Sequence, residues 1–213
     1  MLALTPDPAI LGNVMSRPAR LLMLGALSVG VLLVGIELLV TAVALPSILA
    51  DLADWTQLRT ASWIINGYLV AYVAVMPLAG RAADRFSIPA LFAASLGLFA
   101  VGSVAAGAAP DLNWLIGARV VQGLGAGAIV PLATAGASHL FDGPARATAI
   151  GVVGALTFIG MAAGPFVGAT ILDLFPAEGP ALLAPAWRWV FYLGAPLACV
   201  ALLYAWAGSA KTS

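Results

Sequence analysis

Six long runs of apolar residues divide the chain, and the charged side chains fall almost entirely between them. A membrane-spanning helix needs about 20 predominantly apolar residues, which these runs provide. The pattern predicts helices near residues 21–49, 61–80, 88–109, 113–136, 147–172 and 187–208. We expect one transmembrane bundle over residues 21–208, with an N-terminal lead of residues 1–20 and a tail of residues 209–213.

The composition supports a membrane protein over a soluble one. Of the 213 residues, 62% are hydrophobic and 8% are charged, whereas a soluble domain is about 45–50% apolar and about 25% charged. The nine basic and nine acidic residues cancel, so charge favours no nucleic-acid partner. One cysteine and one histidine supply no metal-ligand set. The sequence contains no nucleophile triad, phosphate loop or haem motif, so we expect neither enzymatic activity nor a cofactor.

The distribution of arginine and lysine predicts the orientation of the bundle. These residues are enriched in cytoplasmic loops. Six of them fall in segments that would share one side of the membrane: Arg17, Arg20, Arg81, Arg85, Arg146 and Lys211. Only Arg59 and Arg188 fall on the other side, so we expect both termini in the cytoplasm.

Two charged side chains, Glu37 and Arg119, lie inside predicted spans, where charges are costly and usually functional or paired. At a rise of about 1.5 Å per residue, Glu37 lies roughly 20 Å and Arg119 roughly 10 Å below the outer ends of their spans. A direct contact requires this difference in depth to close. Gln122, one turn from Arg119 on the same face, is a candidate bridge, and Asn66 lies at a similar depth in the second span.

The intramembrane charges have two interpretations. In the functional one, Glu37 takes and gives a proton and Arg119 tunes this exchange. In the structural one, the two residues form a permanent ion pair that fixes helix register. We expect Asn66, Tyr68 and Tyr72 to face a substrate cavity, and the spacing of four places the two tyrosines on one helix face.

Several motifs follow one another in chain order. They are Glu37 to Pro46 in span one, Trp63 and Tyr68 in span two, Gly80, Arg81, Asp84 and Arg85 in the next loop, Arg119, Gln122 and Gly123 in span four, Gly160, Gly164, Pro165 and Gly168 in span five, and Trp187 to Phe191 in span six. Together these stretches resemble the major facilitator superfamily, and most closely the N-terminal half of the fourteen-span drug:proton antiporters.

The resemblance implies a role for each motif. The loop motif, motif A, clamps neighbouring helices in one gating state through its aspartate, here Asp84. The arginine of motif B in span four, here Arg119, is linked with proton coupling. Glu37 is a candidate for cation recognition or protonation. Motif C in span five shapes a helix interface and is associated with export. The implied fold is one half-bundle of two three-helix repeats in a bacterial cytoplasmic membrane.

The chain departs from the family in two respects. Motif A normally continues with glycine and basic residues, but here Ser87, Ile88 and Pro89 follow, which predicts a weakened gating latch. The chain also carries six spans, whereas a family member has two six-span bundles. We therefore expect a partner, either a second copy of the chain or a separate six-span chain.

Two functions remain open at this point. The first is a half-size transporter that exports a small amphipathic or cationic compound in exchange for protons. The second is a structural subunit of a larger membrane complex that no longer transports. An incomplete copy of a longer gene is a further explanation of the length.

Overall fold

The computed structural model describes residues 16–176, 178–180 and 182–210. Residues 1–15 of the predicted N-terminal lead and residues 211–213 of the predicted tail lie outside this part of the chain. Throughout the described residues the chain forms helices joined by short connections, without a β-strand. The all-helical fold class predicted from the apolar runs is confirmed.

The described residues form six helical segments, labelled α1 to α6. They are α1, Arg17–Leu52; α2, Leu58–Ala61 and Trp63–Ala83; α3, Ile88–Gly107; α4, Leu112–Leu140; α5, Gly143–Leu174; and α6, Trp187–Tyr192 and Gly194–Ala210. A short 3-10 turn, Trp55–Gln57, precedes α2. Helices α1 to α5 are long and apolar enough to cross a membrane, and the apolar part of α6, Trp187–Leu203, is shorter.

Polar residues between the apolar runs determine where two of the helices begin. The Asp111 carboxylate accepts a hydrogen bond from the backbone N–H of Trp114 at 2.9 Å and so caps the first turn of α4. The Ser87 hydroxyl accepts from the N–H of Ala90 at 3.3 Å and caps α3 in the same way. The serine that departs from motif A therefore serves as the N-cap of the next helix.

Glycines bring α1 and α5 into direct backbone contact. A Cβ added at Gly35 would collide with the carbonyl oxygen of Thr157 on α5. A Cβ at Gly164 would lie 2.7 Å from the carbonyl oxygen of Ile36 on α1, and one at Gly160 would also collide with the α1 backbone. The motif C glycines therefore lie in the α1–α5 interface, where small residues allow close approach in lipid.

Helix α4 packs in the same way against two neighbours. A Cβ at Gly123 would lie 2.5 Å from the carbonyl oxygen of Tyr68 on α2. A Cβ at Gly125 would lie 2.7 Å from the carbonyl oxygen of Ser95 on α3. Because both sides of α4 approach a neighbouring backbone so closely, its polar residues Arg119 and Gln122 are held in the interior of the bundle, where both are buried.

Large apolar side chains remain exposed on the outer faces of α2 and α5. They include Val70, Val73, Leu78, Phe158, Phe166 and Leu174, whose exposed fractions range from 58% to 77%. A membrane helix presents such a face to lipid or to another membrane-embedded segment.

Candidate functional site

The centre of the bundle contains a buried ion pair between α1 and α4. Arg119 donates a hydrogen bond from Nη1 to Oε1 of Glu37 at 2.6 Å, and the two side chains are 1% and 2% exposed. The depth difference expected from the sequence does not keep them apart. Counting residues from the helix ends compares backbone depths and ignores the reach of the two long side chains, which meet directly.

The Arg119 guanidinium has four further partners. Its Nη1 also donates to Oε1 of Gln122 at 2.5 Å, and its Nε donates to the carbonyl oxygen of Ile64 at 3.3 Å. Its Cζ lies 4.0 Å from the ring centroid of Tyr68 and 5.5 Å from that of Phe191. These contacts offset part of the cost of burying the charge. Gln122 accepts a hydrogen bond from the same Arg119 nitrogen that reaches Glu37 directly.

The hydrogen bonds continue from α4 to α3. Gln122 donates from Nε2 to Oγ of Ser103 at 2.7 Å, and both side chains are fully buried. We call Glu37, Arg119, Gln122 and Ser103 the buried polar chain. Sequence reasoning missed Ser103, because a serine in an apolar span has no distinctive pattern. The one available signal was its neighbour Gly102, which permits close approach of α3 to α4.

The other predicted site residues occupy different environments. Tyr68 is 1% exposed and stacks on the half-buried Tyr72, with ring centroids 6.0 Å apart. The Tyr68 hydroxyl is buried and has no hydrogen-bond partner among the described residues. Asn66 is exposed. Two residues along a helix are about 200° apart, so Asn66 and Tyr68 point in nearly opposite directions, and the structure does not unite them in one site.

The match to known proteins identifies the family. The sequence profile of the Major Facilitator Superfamily matches residues 23–212. This chain belongs to the major facilitator superfamily. The predicted resemblance is thereby confirmed, and the chain is an integral membrane protein of a transporter family.

Curated bacterial relatives are about a third identical to this chain over the aligned residues, and they support its location in the cytoplasmic membrane. A protein named triacylglyceride transporter from Mycolicibacterium smegmatis is 36% identical over 189 residues, which cover 88% of this chain and 32% of the relative. Multidrug resistance protein 3 of Bacillus subtilis is 31% identical over 185 residues, which cover 87% and 33%. The chain thus spans about a third of the length of these relatives.

Solved structures of the superfamily share the fold of the chain. The xylose transporter XylE from E. coli has a TM-score of 0.76 at 15% identity, over 90% of this chain and 48% of that chain. A bacterial homolog of the human lysosomal transporter Spinster has a TM-score of 0.75 at 20% identity, over 93% and 44%. The six helices therefore correspond to slightly less than half of a major facilitator fold.

The motif A residues of this superfamily member form a separate, exposed group. Gly80 and Arg81 lie in the last turn of α2, and Asp84 and Arg85 follow it. All four are exposed. The twelve residues from Tyr68 to Gly80 span about 18 Å of helix, so this group lies far from the buried polar chain.

A second buried arginine ties together the other end of the bundle. Arg188 on α6 is 6% exposed and lies 3.6 Å from the carboxylate of Asp51, which also accepts from the indole N–H of Trp187 at 3.1 Å. Arg188 donates to three backbone carbonyls, those of Gly107, Ala109 and Ala184. Gly107 is the last residue of α3 and Ala109 lies two positions beyond it, so Arg188 places a positive charge at the C-terminus of α3, where the helix dipole favours a cation. Sequence reasoning identified this stretch only as family-like.

Proposed function

We propose that the chain is one six-helix half of a proton-coupled major facilitator exporter, with both termini in the cytoplasm and Glu37 as the proton-binding group. The observation that carries this proposal is the buried ion pair between Glu37 and Arg119. An ionisable group inside a membrane protein most often marks an ion or proton pathway. Transporters of this architecture place such sites near the middle of the bilayer, between their repeats.

The contacts of Arg119 suggest how protonation acts. A proton on the Glu37 carboxylate removes the negative charge from the pair. Arg119 keeps the Gln122 amide oxygen, the Ile64 carbonyl and the Tyr68 ring, so its charge remains accommodated on α4. The attraction that links α1 to α4 weakens. Protonation therefore favours displacement of α1, together with the α5 helix packed on it, and this displacement would contribute to alternating access.

The proposed substrate is an uncharged amphipathic compound in preference to a cation. Among the described residues, Glu37 is the one acidic side chain that is buried, and it is already paired with Arg119. A cationic substrate would have to compete with Arg119 for this carboxylate. Relatives named triacylglyceride transporter and multidrug resistance protein agree with an amphipathic substrate.

A second six-helix half is part of the proposal. The chain spans less than half of the solved transporters to which it is similar. The exposed apolar faces of α2 and α5 would lie in lipid or against the second half. That half would be a second copy of the chain or another six-helix segment. It would supply the opposite wall of the substrate path.

The alternative function is a structural subunit that no longer transports. The observation that favours it is Ser87, which caps α3 where motif A would continue with glycine and basic residues. The two functions predict different assemblies. Native mass measurement after gentle detergent extraction gives two six-helix halves for a transporter, and a large complex with unrelated proteins at fixed stoichiometry for a structural subunit.

Transport in vesicles tests the proposed activity. The gently extracted assembly is reconstituted into liposomes, and a pH gradient is imposed. A fluorescent short-chain acylglycerol should move in the wild type and not in Glu37→Gln, whereas Asp173→Asn, which alters an exposed carboxylate at the end of α5, should transport normally. Equal flux in wild type and Glu37→Gln contradicts the mechanism. Preferential transport of the cation ethidium contradicts the substrate class.

A further inference from the structure

Ser103 ends the buried polar chain and has no role in any motif of the sequence. Its side chain is fully buried on α3, and its hydroxyl oxygen accepts from Nε2 of Gln122 at 2.7 Å. A Cβ added at Gly194 would lie 2.9 Å from this oxygen, so α6 closes over it. Ser103 is therefore the hydrogen-bond acceptor for the Gln122 amide nitrogen in a tightly enclosed site.

The backbone of Gln122 is fixed against α3 at the same level. A Cβ added at Gly102 would lie 2.5 to 2.7 Å from N, Cα and Cβ of Gln122. Only the outer part of the Gln122 side chain is free to turn. Its orientation is set by its two ends, with Oε1 accepting from Arg119 and Nε2 donating to Ser103.

Each end of this amide depends on the other. A buried donor without an acceptor is costly, and in an enclosed network the loss of one bond weakens the next. Without the Ser103 hydroxyl, the amide nitrogen of Gln122 loses its partner, and the amide is free to turn away from Arg119. Nη1 of Arg119 donates to Gln122 at 2.5 Å and to Glu37 at 2.6 Å, so losing the bond to Gln122 would change how Arg119 is held against Glu37.

We propose that Ser103 is a positioning residue for the proton site: by holding the Gln122 amide, it keeps Arg119 in place against Glu37 and sets the pH at which Glu37 exchanges its proton. This inference rests on the proposed function, since it requires that Glu37 exchanges a proton. Ser103 acts through Gln122 and Arg119 and does not itself contact Glu37 in the hydrogen-bonded chain.

The same helix contains a matched control. Ser95 lies two turns before Ser103, and its hydroxyl donates to the carbonyl oxygen of Leu91 in its own helix at 2.8 Å. Replacing Ser95 removes a hydroxyl of the same size from α3 without touching the buried polar chain. A comparison of Ser103→Ala with Ser95→Ala therefore separates a specific effect from a general loss of a serine.

Infrared difference spectroscopy tests the inference on the intact assembly in lipid nanodiscs, without a substrate. The carbonyl stretch of a protonated carboxylic acid is recorded against pH, and the Glu37 band is assigned by its loss in Glu37→Gln. Ser103→Ala should move the midpoint of this band by about half a pH unit or more, because freeing the Gln122 amide disturbs its hydrogen bond to Arg119, the counter-charge of Glu37. Ser95→Ala should leave it unchanged. In the Gln122→Leu background, Ser103→Ala should have no further effect.

Each result decides the inference. A wild-type midpoint in Ser103→Ala, or an equal shift in Ser95→Ala, overturns it while the proposed function stands. A wild type without a titrating Glu37 band overturns both. Should Ser103→Ala fail to fold, Ser103→Cys keeps the volume with a weaker acceptor, and an unshifted midpoint in that variant overturns the inference as well.

Discussion

Removing Arg119 should destabilise the bundle strongly, because the substitution leaves a buried carboxylate without its counter-charge. Glu37 and Arg119 are 2% and 1% exposed and 2.6 Å apart. Breaking such a pair from one side typically costs about 3–5 kcal/mol. Arg119→Leu also takes the donor from the Ile64 carbonyl, which accepts from Nε. We therefore expect a loss of about 4 kcal/mol in the free energy of unfolding, within that range.

The second substitution provides the critical comparison. Adding Glu37→Leu to Arg119→Leu removes the uncompensated charge, so we expect the doubly substituted chain to regain about 2–3 kcal/mol. Arg59→Leu, which replaces an exposed arginine at the start of α2, should change stability by less than about 0.5 kcal/mol.

The assay is reversible unfolding in mixed detergent micelles, followed by tryptophan fluorescence. Two results would refute the reasoning. One is an Arg119→Leu variant within about 1 kcal/mol of the wild type, which would mean that the pair is not effectively buried in the membrane. The other is a double variant whose loss equals the sum of the two single losses, which would mean that the charges do not interact.

Three further predictions concern packing and the second arginine, each measured as the change in unfolding free energy in the same assay. Gly35→Ala should cost about 1–3 kcal/mol, because the added Cβ collides with the Thr157 carbonyl oxygen. Gly25→Ala, on the same helix, adds a Cβ in open space and should be neutral or stabilising. Equal effects of the two substitutions would contradict the α1–α5 packing. Arg188→Leu should cost about 1–3 kcal/mol, since it leaves the carbonyls of Gly107 and Ala109 without their donor. A neutral result would contradict that role. Tyr68→Phe should be neutral or slightly stabilising, because the buried Tyr68 hydroxyl has no hydrogen-bond partner among the described residues. Tyr68→Leu should lose about 1–2 kcal/mol, because it removes the contact between the ring and Arg119. A large loss in Tyr68→Phe would contradict the absence of a partner for the hydroxyl.

The fold class and the family were predictable because they depend on patterns that are local in sequence. The apolar runs have the length of membrane spans, and the glycines of motif C recur at a spacing of four, which places Gly160 and Gly164 on one helix face. The structure shows that this face of α5 packs against α1 at Gly35. The spacing of the glycines does not indicate which helix provides this contact.

The contacts of the candidate site were not predictable to the same extent. Glu37 and Arg119 stood out as charges in apolar runs, but their contact depends on helix tilt and side-chain reach. Ser103 became identifiable only when the rotation of α3 relative to α4 was known, because its partner Gln122 lies on another helix. Asn66 was expected at a depth similar to that of Arg119, but its side chain is exposed, and its direction depends on the rotation of α2, which the sequence does not give.

The same limit applies to the end of the bundle that contains Arg188. Arg188 lies in a stretch rich in aromatic residues, and its positive charge suggested only which side of the membrane it occupies. Its three carbonyl partners include Gly107 and Ala109, about eighty positions earlier in the chain. Backbone carbonyls leave no trace in a sequence pattern. Only the three-dimensional arrangement shows that this arginine completes the end of α3.

Proton movement through the reconstituted assembly tests the central claim most directly, namely that Glu37 couples transport to protons. A pH-sensitive dye trapped inside liposomes reports proton flow when the acylglycerol substrate is added. The wild type should move protons in the direction opposite to the substrate, and Glu37→Gln should move none while its circular dichroism and assembly mass stay the same. Proton flow in Glu37→Gln at the wild-type rate would contradict the role of Glu37.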